Sequence, residues 1–139
     1  MAFIGTRKLT LQIDALEVAP DVSAVTIESG DTDSDFVSFA SAAAGGGRDY
    51  VMHLTLAQDA AAGTLWSKVW DEAGETIPYV LRPYGNAVAT ALQPHFTGSV
   101  IIHEPDGELL GGEADASVSA VMTIEVEWPC EAKPLRITA

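Results

Sequence analysis

The sequence is poor in cysteine, in basic residues and in long hydrophobic runs, and each shortage excludes a class of protein. A single cysteine, Cys130, cannot form an intrachain disulfide, so the fold does not depend on a disulfide framework. Seven Lys plus Arg stand against 20 Asp plus Glu, a net charge of −13. This balance disfavours specific binding to nucleic acids and to anionic membranes, because both rely on clustered cations.

Hydrophobic runs long enough to direct the chain to a membrane are also missing. No apolar run approaches the roughly 18 residues of a transmembrane helix, and the N-terminal residues lack the apolar core of a signal peptide. We therefore expect a protein that is made in a cytoplasm, does not enter a membrane and is not exported.

Motifs that carry catalysis or metal binding are absent as well. His53, His95 and His103 do not have the spacings that place metal ligands on one helix face. His103 and Glu104 are adjacent, unlike the His-x-Glu of zinc deaminases, and Cys130 has no second cysteine beside it. The chain has neither a Gly-x-Ser-x-Gly elbow nor a phosphate-binding loop, and acid pairs carry no information among 20 acids. We expect no metal, no cofactor and no enzymatic activity.

The residues that are present predict one folded domain over positions 1–139. Hydrophobic residues make up 47% of the chain and charged residues 19%, which is not the composition of a disordered protein. Alternating apolar and polar residues predict strands. These strands are expected at residues 9–14, 22–28, 49–57, 77–82, 93–104 and, most regularly, 118–128. The first two are expected to pair as a hairpin.

One segment has the periodicity of a helix instead. Leu65, Trp66, Val69 and Trp70 recur at intervals of three and four residues and are followed by Gly74. The N-cap is either Asp59 or Thr64. Two tryptophans on one helix face predict packing of both rings against a sheet.

Two segments fall outside this regular pattern. Residues 30–49 are acidic at first and rich in glycine at the end, and they include Phe36 and Phe39. This long loop is either a docking loop or a loose insertion whose two aromatic rings fold back on the domain. Residues 129–139 form a C-terminal tail whose apolar end is able to pair with a sheet edge or with a neighbouring molecule.

Together these elements predict a mainly β protein, an antiparallel β-sandwich or small barrel with one flanking α-helix. Residues 86–129 contain seven acids and no Lys or Arg, and Glu125 and Glu127 fall on the polar face of the last predicted strand. The acids serve either to keep the sheet soluble or to form a surface that does not retain a polyanion.

The chain resembles the tail tube (major tail) proteins of long-tailed, siphophage-type bacteriophages. The resemblance rests on the order of several segments: the opening hairpin, the loop at 30–49, LWSKVWDEAGETIPYVLRPYG at 65–85, PHFTGSVII at 94–102 and GGEADASVSAVMTIEVEWPCEAKP at 111–134. It implies a tail-tube-like β-sandwich that closes into rings, six subunits to a ring, and stacks into a tube through which DNA passes without specific binding. The implied partners are other copies of the chain and the tape-measure, baseplate and tail-terminator proteins. The implied location is the virion tail, assembled in the host cytoplasm.

The resemblance suggests roles for four residues. Phe36 and Phe39 of the long loop are expected to contact the next ring, and Glu125 and Glu127 are expected to face the lumen. Two other interpretations remain open: another phage sandwich protein, such as a capsid decoration or tail-completion protein, and a non-viral ligand-binding β-sandwich.

Overall fold

A computed structural model describes residues 3–31, 38–43 and 48–139 and contains two antiparallel sheets, short helices and connecting turns. The helical segments are a 3-10 turn at Ala19–Asp21, α1 (Phe39–Ala43) and α2 (Leu65–Asp71). The strands are β1 (Thr10–Ile13), β2 (Leu16–Glu17), β3 (Val22–Asp31), β4 (Arg48–Ala57), β5 (Thr76–Arg82), β6 (His95–Ile101), β7 (Thr123–Pro129) and β8 (Leu135–Ile137).

The strands form a five-stranded sheet in the order β2-β1-β5-β6-β8 and a three-stranded sheet in the order β3-β4-β7. The prediction of a mainly β, antiparallel sandwich with a flanking helix is confirmed, and the sheets do not close into a barrel. In the part of the chain that the structure describes, no helix is long and apolar enough to cross a membrane.

The predicted pairing of the first two strands is wrong. β1 pairs with β2 and β5, whereas β3, the second predicted strand, pairs with β4 in the other sheet. Asp14 and Ala15 both have positive φ, 51° and 64°, so they reverse the chain within two residues and bring Leu16 opposite Ile13. Such a turn usually carries glycine or asparagine, and its absence here hid the short hairpin from the sequence.

The core lies between the two sheets and under α2. It contains alternate residues of the strands, as period-2 patterning requires. Its largest fully buried side chains are Leu11, Ile13, Val18, Met52, Leu54, Leu56, Leu65, Val69, Tyr79, Ile102, Ile124 and Trp128. Two indole N–H groups fix the chain after β6: Trp128 donates to the carbonyl of His103 (3.0 Å) and Trp66 to that of Leu109 (2.9 Å).

The last long strand is shorter than predicted. β7 begins at Thr123, opposite Ala57 where β4 ends, and no described strand pairs with residues 118–122. The Gln58 N–H still bonds to the carbonyl of Met122 (2.8 Å), while the Gln58 side chain bonds to both the N–H and the carbonyl of Gly111. Val118 is consequently fully exposed although it continues the apolar row of Ile124, Val126 and Trp128.

Helix α2 has one of the two predicted residues as its N-cap. The Thr64 hydroxyl accepts a hydrogen bond from the Ser67 N–H (3.2 Å), so Thr64 and not Asp59 is the N-cap. Trp66 is buried as expected, but the prediction for Trp70 is wrong: its side chain is 51% exposed. Trp70 stacks on Trp66 with ring centroids 5.3 Å apart, so one tryptophan packs in the core and the other covers it.

The predicted loop at 30–49 is also shorter than expected. β3 continues to Asp31 and β4 already begins at Arg48, with these two residues paired across the hairpin. Their side chains form an ion pair of 2.9 Å. The connection spans residues 32–47, in which the structure describes α1 with Ser38 before it. At the other end of the chain, the predicted tail contributes β8, which pairs with β6.

Candidate functional site

The most distinctive surface is the exposed face of the three-stranded sheet, which we call the acidic face. Strand register aligns Ala24, Thr55 and Glu125 in one row and Thr26, His53 and Glu127 in the next. Glu28 and Val51 follow. The structure thus places the predicted residues Glu125 and Glu127 side by side on this face, because they alternate with the buried side chains of Ile124, Val126 and Trp128.

His53 lies between two carboxylates at the centre of the acidic face. Its Nε2 contacts a carboxylate oxygen of Glu28, and its Nδ1 lies 3.4 Å from Oε1 of Glu127. All three side chains are exposed to solvent to a substantial degree, with Glu127 at 73%. The histidine links β3 to β7 across β4 and offsets part of the carboxylate charge only when it is protonated.

The acidic face is concave. Residues 103–106 lie beside it and close one side of a shallow depression of about 470 Å³. These residues add Glu104 and Asp106 to the rim, and the side chains of the described β3, β4 and β7 that point to this face include no Lys or Arg. The depression is wide and open, so it suits an extended surface rather than an enclosed small molecule.

The hairpin of β3 and β4 extends beyond the rest of its sheet. β7 pairs with β4 only from Val51 onwards, whereas the β3–β4 pairing continues to Asp31 and Arg48. The tip of the hairpin therefore projects from the sandwich. Just beyond it, Phe39 of α1 is 98% exposed. Phe36, the other aromatic residue assigned to this loop, lies outside the described residues.

Both sheets have edges to which no described strand is bonded. β3 is a ten-residue edge strand, and β7 is the opposite edge of the same sheet. Unpaired N–H and C=O groups on such edges favour pairing with another chain. The five-stranded sheet ends in the short strands β2 and β8, which offer much less backbone for pairing.

The histidines are not gathered into a site. His95 is buried, with Nε2 2.9 Å from the carbonyl oxygen of Asn86, and His103 is exposed. Among the described residues, no group of three or more His, Cys, Asp or Glu side chains is arranged to hold a metal ion. The association of His53 with Glu28 escaped the sequence analysis because it depends on the register between β3 and β4.

Cys130 and Tyr79 form a second polar contact, inside the sandwich. Burial raises the pKa of Tyr79 far above its ordinary value, and the neighbouring Cys130 raises it further. Burial also raises the pKa of the Cys130 thiol, and the neighbouring Tyr79 hydroxyl partly opposes this. Both groups therefore stay protonated and neutral at physiological pH, so the thiol is not an activated nucleophile.

Comparison with known proteins adds no assignment: no family model matches the chain, and no curated protein matches its sequence.

Proposed function

We propose that this protein is a structural subunit that polymerises as stacked, six-membered rings into the tail tube of a long-tailed bacteriophage. The observation that carries the proposal is the acidic face: a concave sheet surface with carboxylates and a histidine and with no Lys or Arg among its described side chains. A conduit for DNA needs such a wall, because each cation would capture a phosphate and slow the passing strand. Glu125 and Glu127 would line the lumen.

The open sheet edges support ring formation. A ten-residue β3 on one side and β7 on the other allow neighbouring subunits to join their three-stranded sheets edge to edge. Closing the ring would satisfy the edges that otherwise invite uncontrolled association. The acidic faces would then form one continuous inner surface.

The projecting hairpin supports stacking of the rings. The connection between its two strands contains Phe39, whose side chain is 98% exposed and contributes nothing to the core of its own subunit. An aromatic ring is the kind of anchor on which interfaces depend. We assign Phe36 and Phe39 to the contact with the next ring.

Electron microscopy of negatively stained, concentrated protein tests the proposal. We expect tubes or stacked rings of six, with masses confirmed by light scattering. The Phe36→Ser/Phe39→Ser variant should keep its circular dichroism spectrum and form no tubes. Val118→Ser/Val121→Ser is the matched control, because it removes two exposed apolar side chains away from the hairpin and should leave assembly unchanged.

Each alternative result has a defined meaning. Monomers at every concentration would contradict the tube, and closed trimers would favour a capsid decoration protein. Normal tubes from the Phe36→Ser/Phe39→Ser variant would refute the role of the hairpin tip while leaving the tube intact.

A further inference from the structure

The five-stranded sheet gathers unpaired cations at one end, which we call the basic end. Because the strands are antiparallel, the start of β1, the end of β5, the start of β6 and the end of β8 all meet there. Four of the seven Lys and Arg residues of the chain lie at or beside it: Arg7, Lys8, Arg82 and Arg136. The nearby residues 3–10, 81–96 and 135–139 contain no Asp or Glu.

Lys8 and Arg82 belong to neighbouring parts of this end. Thr10, the first residue of β1, is the register partner of Arg82, and Lys8 precedes Thr10 by two residues. The carbonyl oxygen of Lys8 also lies so close to Gly85 that a Cβ atom there would collide with it. Neither cation has a carboxylate within ion-pairing distance among the described residues.

The basic end also contains polar atoms that lack partners. Thr10 Oγ1, Arg82 Nε and Asn86 Oδ1 are buried and form no hydrogen bond within the described chain. Beside them, the turn after β5 exposes Val88 and Leu92. Unpaired cations with unsatisfied donors and acceptors and exposed apolar side chains are features of a surface that another molecule covers.

The other end of the same sheet has the opposite charge, and we call it the acidic end. The N–H of Asp14 bonds to the carbonyl of Pro78, and the carbonyl of Glu75 accepts from the N–H of Ile102, so both acids lie where β5 begins. Glu104 follows directly after Ile102 and His103. Asp71 and Glu72 end helix α2 nearby, and Lys68 is the one described cation among these acids.

Apolar side chains are exposed at the acidic end as well. Trp70 is half exposed on α2, and Leu110 is 64% exposed next to Leu109, whose carbonyl holds the Trp66 indole. Both ends therefore combine exposed apolar side chains with charged groups, and the charges have opposite signs. Strand β5 separates them by about 20 Å, more than twice the screening length at physiological salt, so each end acts on a partner independently.

We infer that the basic end of one copy binds the acidic end of the next, head to tail. The binding partner is a second copy of this chain. The same chain has a surplus of cations at its basic end and a surplus of carboxylates at its acidic end, so the two ends of different copies attract each other. The contact is heterologous and leaves one free end of each sign, so it propagates. The inference rests on the proposed tube, to which it adds a charge contact along the tube axis. The contact itself does not require the subunits to form rings.

Charge reversal tests this contact. The basic-end variant is Arg7→Glu/Lys8→Glu, and the acidic-end variant is Glu75→Lys/Glu104→Lys; all four side chains are exposed, so both variants should fold. Each reversal cancels the charge of one end: the basic end keeps two cations beside two new carboxylates, and the acidic end keeps three acids beside Lys68 and two new lysines. Each variant alone should therefore lose self-association by about tenfold or more in sedimentation experiments. In an equimolar mixture the intact basic end of one variant meets the intact acidic end of the other, so the two variants should associate in pairs. Salt should weaken association of the wild type and of the mixture.

Lys133→Glu is the matched control for the single change Lys8→Glu. It makes the same change of charge as Lys8→Glu, but at an exposed residue near the hydrogen bond between Glu131 and Ser99, midway between the two ends of the sheet. Association should stay within about twofold of that of the wild type. Reversed variants that associate like the wild type, or a mixture that does not associate, would overturn the inference.

The outcomes separate the two proposals. If the wild type and both charge-reversed variants all form tubes, the charge contact is overturned and the tube is kept. Salt-sensitive linear oligomers without rings, lost on reversal and replaced by mixed pairs when the two variants are combined, would support the charge contact and overturn the tube. A wild-type protein that stays monomeric at low salt and high concentration would overturn both.

Discussion

Gly98 is the residue at which the packing of the core leaves no room for a side chain. It lies in β6 directly opposite Tyr79 of β5, whose ring is only 1% exposed. A Cβ atom on residue 98 would lie 2.8 Å from the Tyr79 hydroxyl oxygen and 3.0 Å from two ring carbons, Cε1 and Cζ. Real contacts of a Cβ atom are essentially never closer than 3.0 Å, so in Gly98→Ala the tyrosine ring has to move within a packed core.

The cost of this movement is that of overpacking, about 1–3 kcal/mol. Alanine also lowers the conformational entropy of the unfolded chain, which stabilises the folded protein by about 0.4–1 kcal/mol. We therefore expect Gly98→Ala to lower the free energy of unfolding by about 1–2 kcal/mol. In urea denaturation followed by tryptophan fluorescence, this corresponds to a midpoint lower by roughly 0.5–1 M.

Gly30→Ala is the matched control. Gly30 also lies in a strand, but a Cβ atom there would have no other atom within 4 Å. The stability of this variant should therefore equal or slightly exceed that of the wild type. Tyr79→Phe removes the nearest contacting atom and a hydroxyl without a nitrogen or oxygen partner among the described residues. Gly98→Ala should therefore cost less in the Tyr79→Phe background. Equal stabilities of Gly98→Ala and Gly30→Ala would refute the reasoning.

Three further predictions address titration, the start of β7 and the acidic face. Because burial raises the pKa of Tyr79, the unfolded chain loses that proton first. The contribution of Tyr79 to stability should be full below about pH 10 and then fall by up to about 1.4 kcal/mol per pH unit, and this part of the decline should be missing in Tyr79→Phe, as measured by denaturation across pH. Val126→Ala should cost about 1.5–3 kcal/mol and Val118→Ala almost nothing in the same assay, and equal costs would contradict the strand boundary at Thr123. Glu125→Lys/Glu127→Lys should create salt-sensitive DNA binding, measured by fluorescence anisotropy, that the wild type lacks; no gain in binding would argue against charge exclusion by this face.

Elements with strong local patterns were predictable from the sequence. β4 and β5 follow the alternation of apolar residues, and α2 follows the spacing of Leu65, Trp66 and Val69 together with its Thr64 cap. The exposure of Glu125 and Glu127 was predictable for the same reason, since residues two apart on a strand share a face. These are properties of neighbouring residues in the chain.

Pairing between distant residues was not predictable. The turn at Asp14 and Ala15 uses positive φ without glycine, so the hairpin partner of β1 was assigned wrongly. Val118 carries the pattern of a strand but has no neighbouring strand, because β4 ends at Ala57. Alternation states which side of a strand is apolar, and it does not state whether another strand is present to receive hydrogen bonds.

The sequence by itself determined a mainly β domain, its large negative charge and the lack of cations between residues 86 and 129. Only the tertiary structure decided where those charges lie relative to one another. Antiparallel pairing of β1 with β5 brings Lys8, which precedes β1, to the same end of the sheet as Arg82, 74 positions away in the chain, and strand register aligns Thr26, His53 and Glu127 across three strands. Charge acts through distance in space, which is fixed by the hydrogen-bond register of the folded sheets and not by separation along the chain.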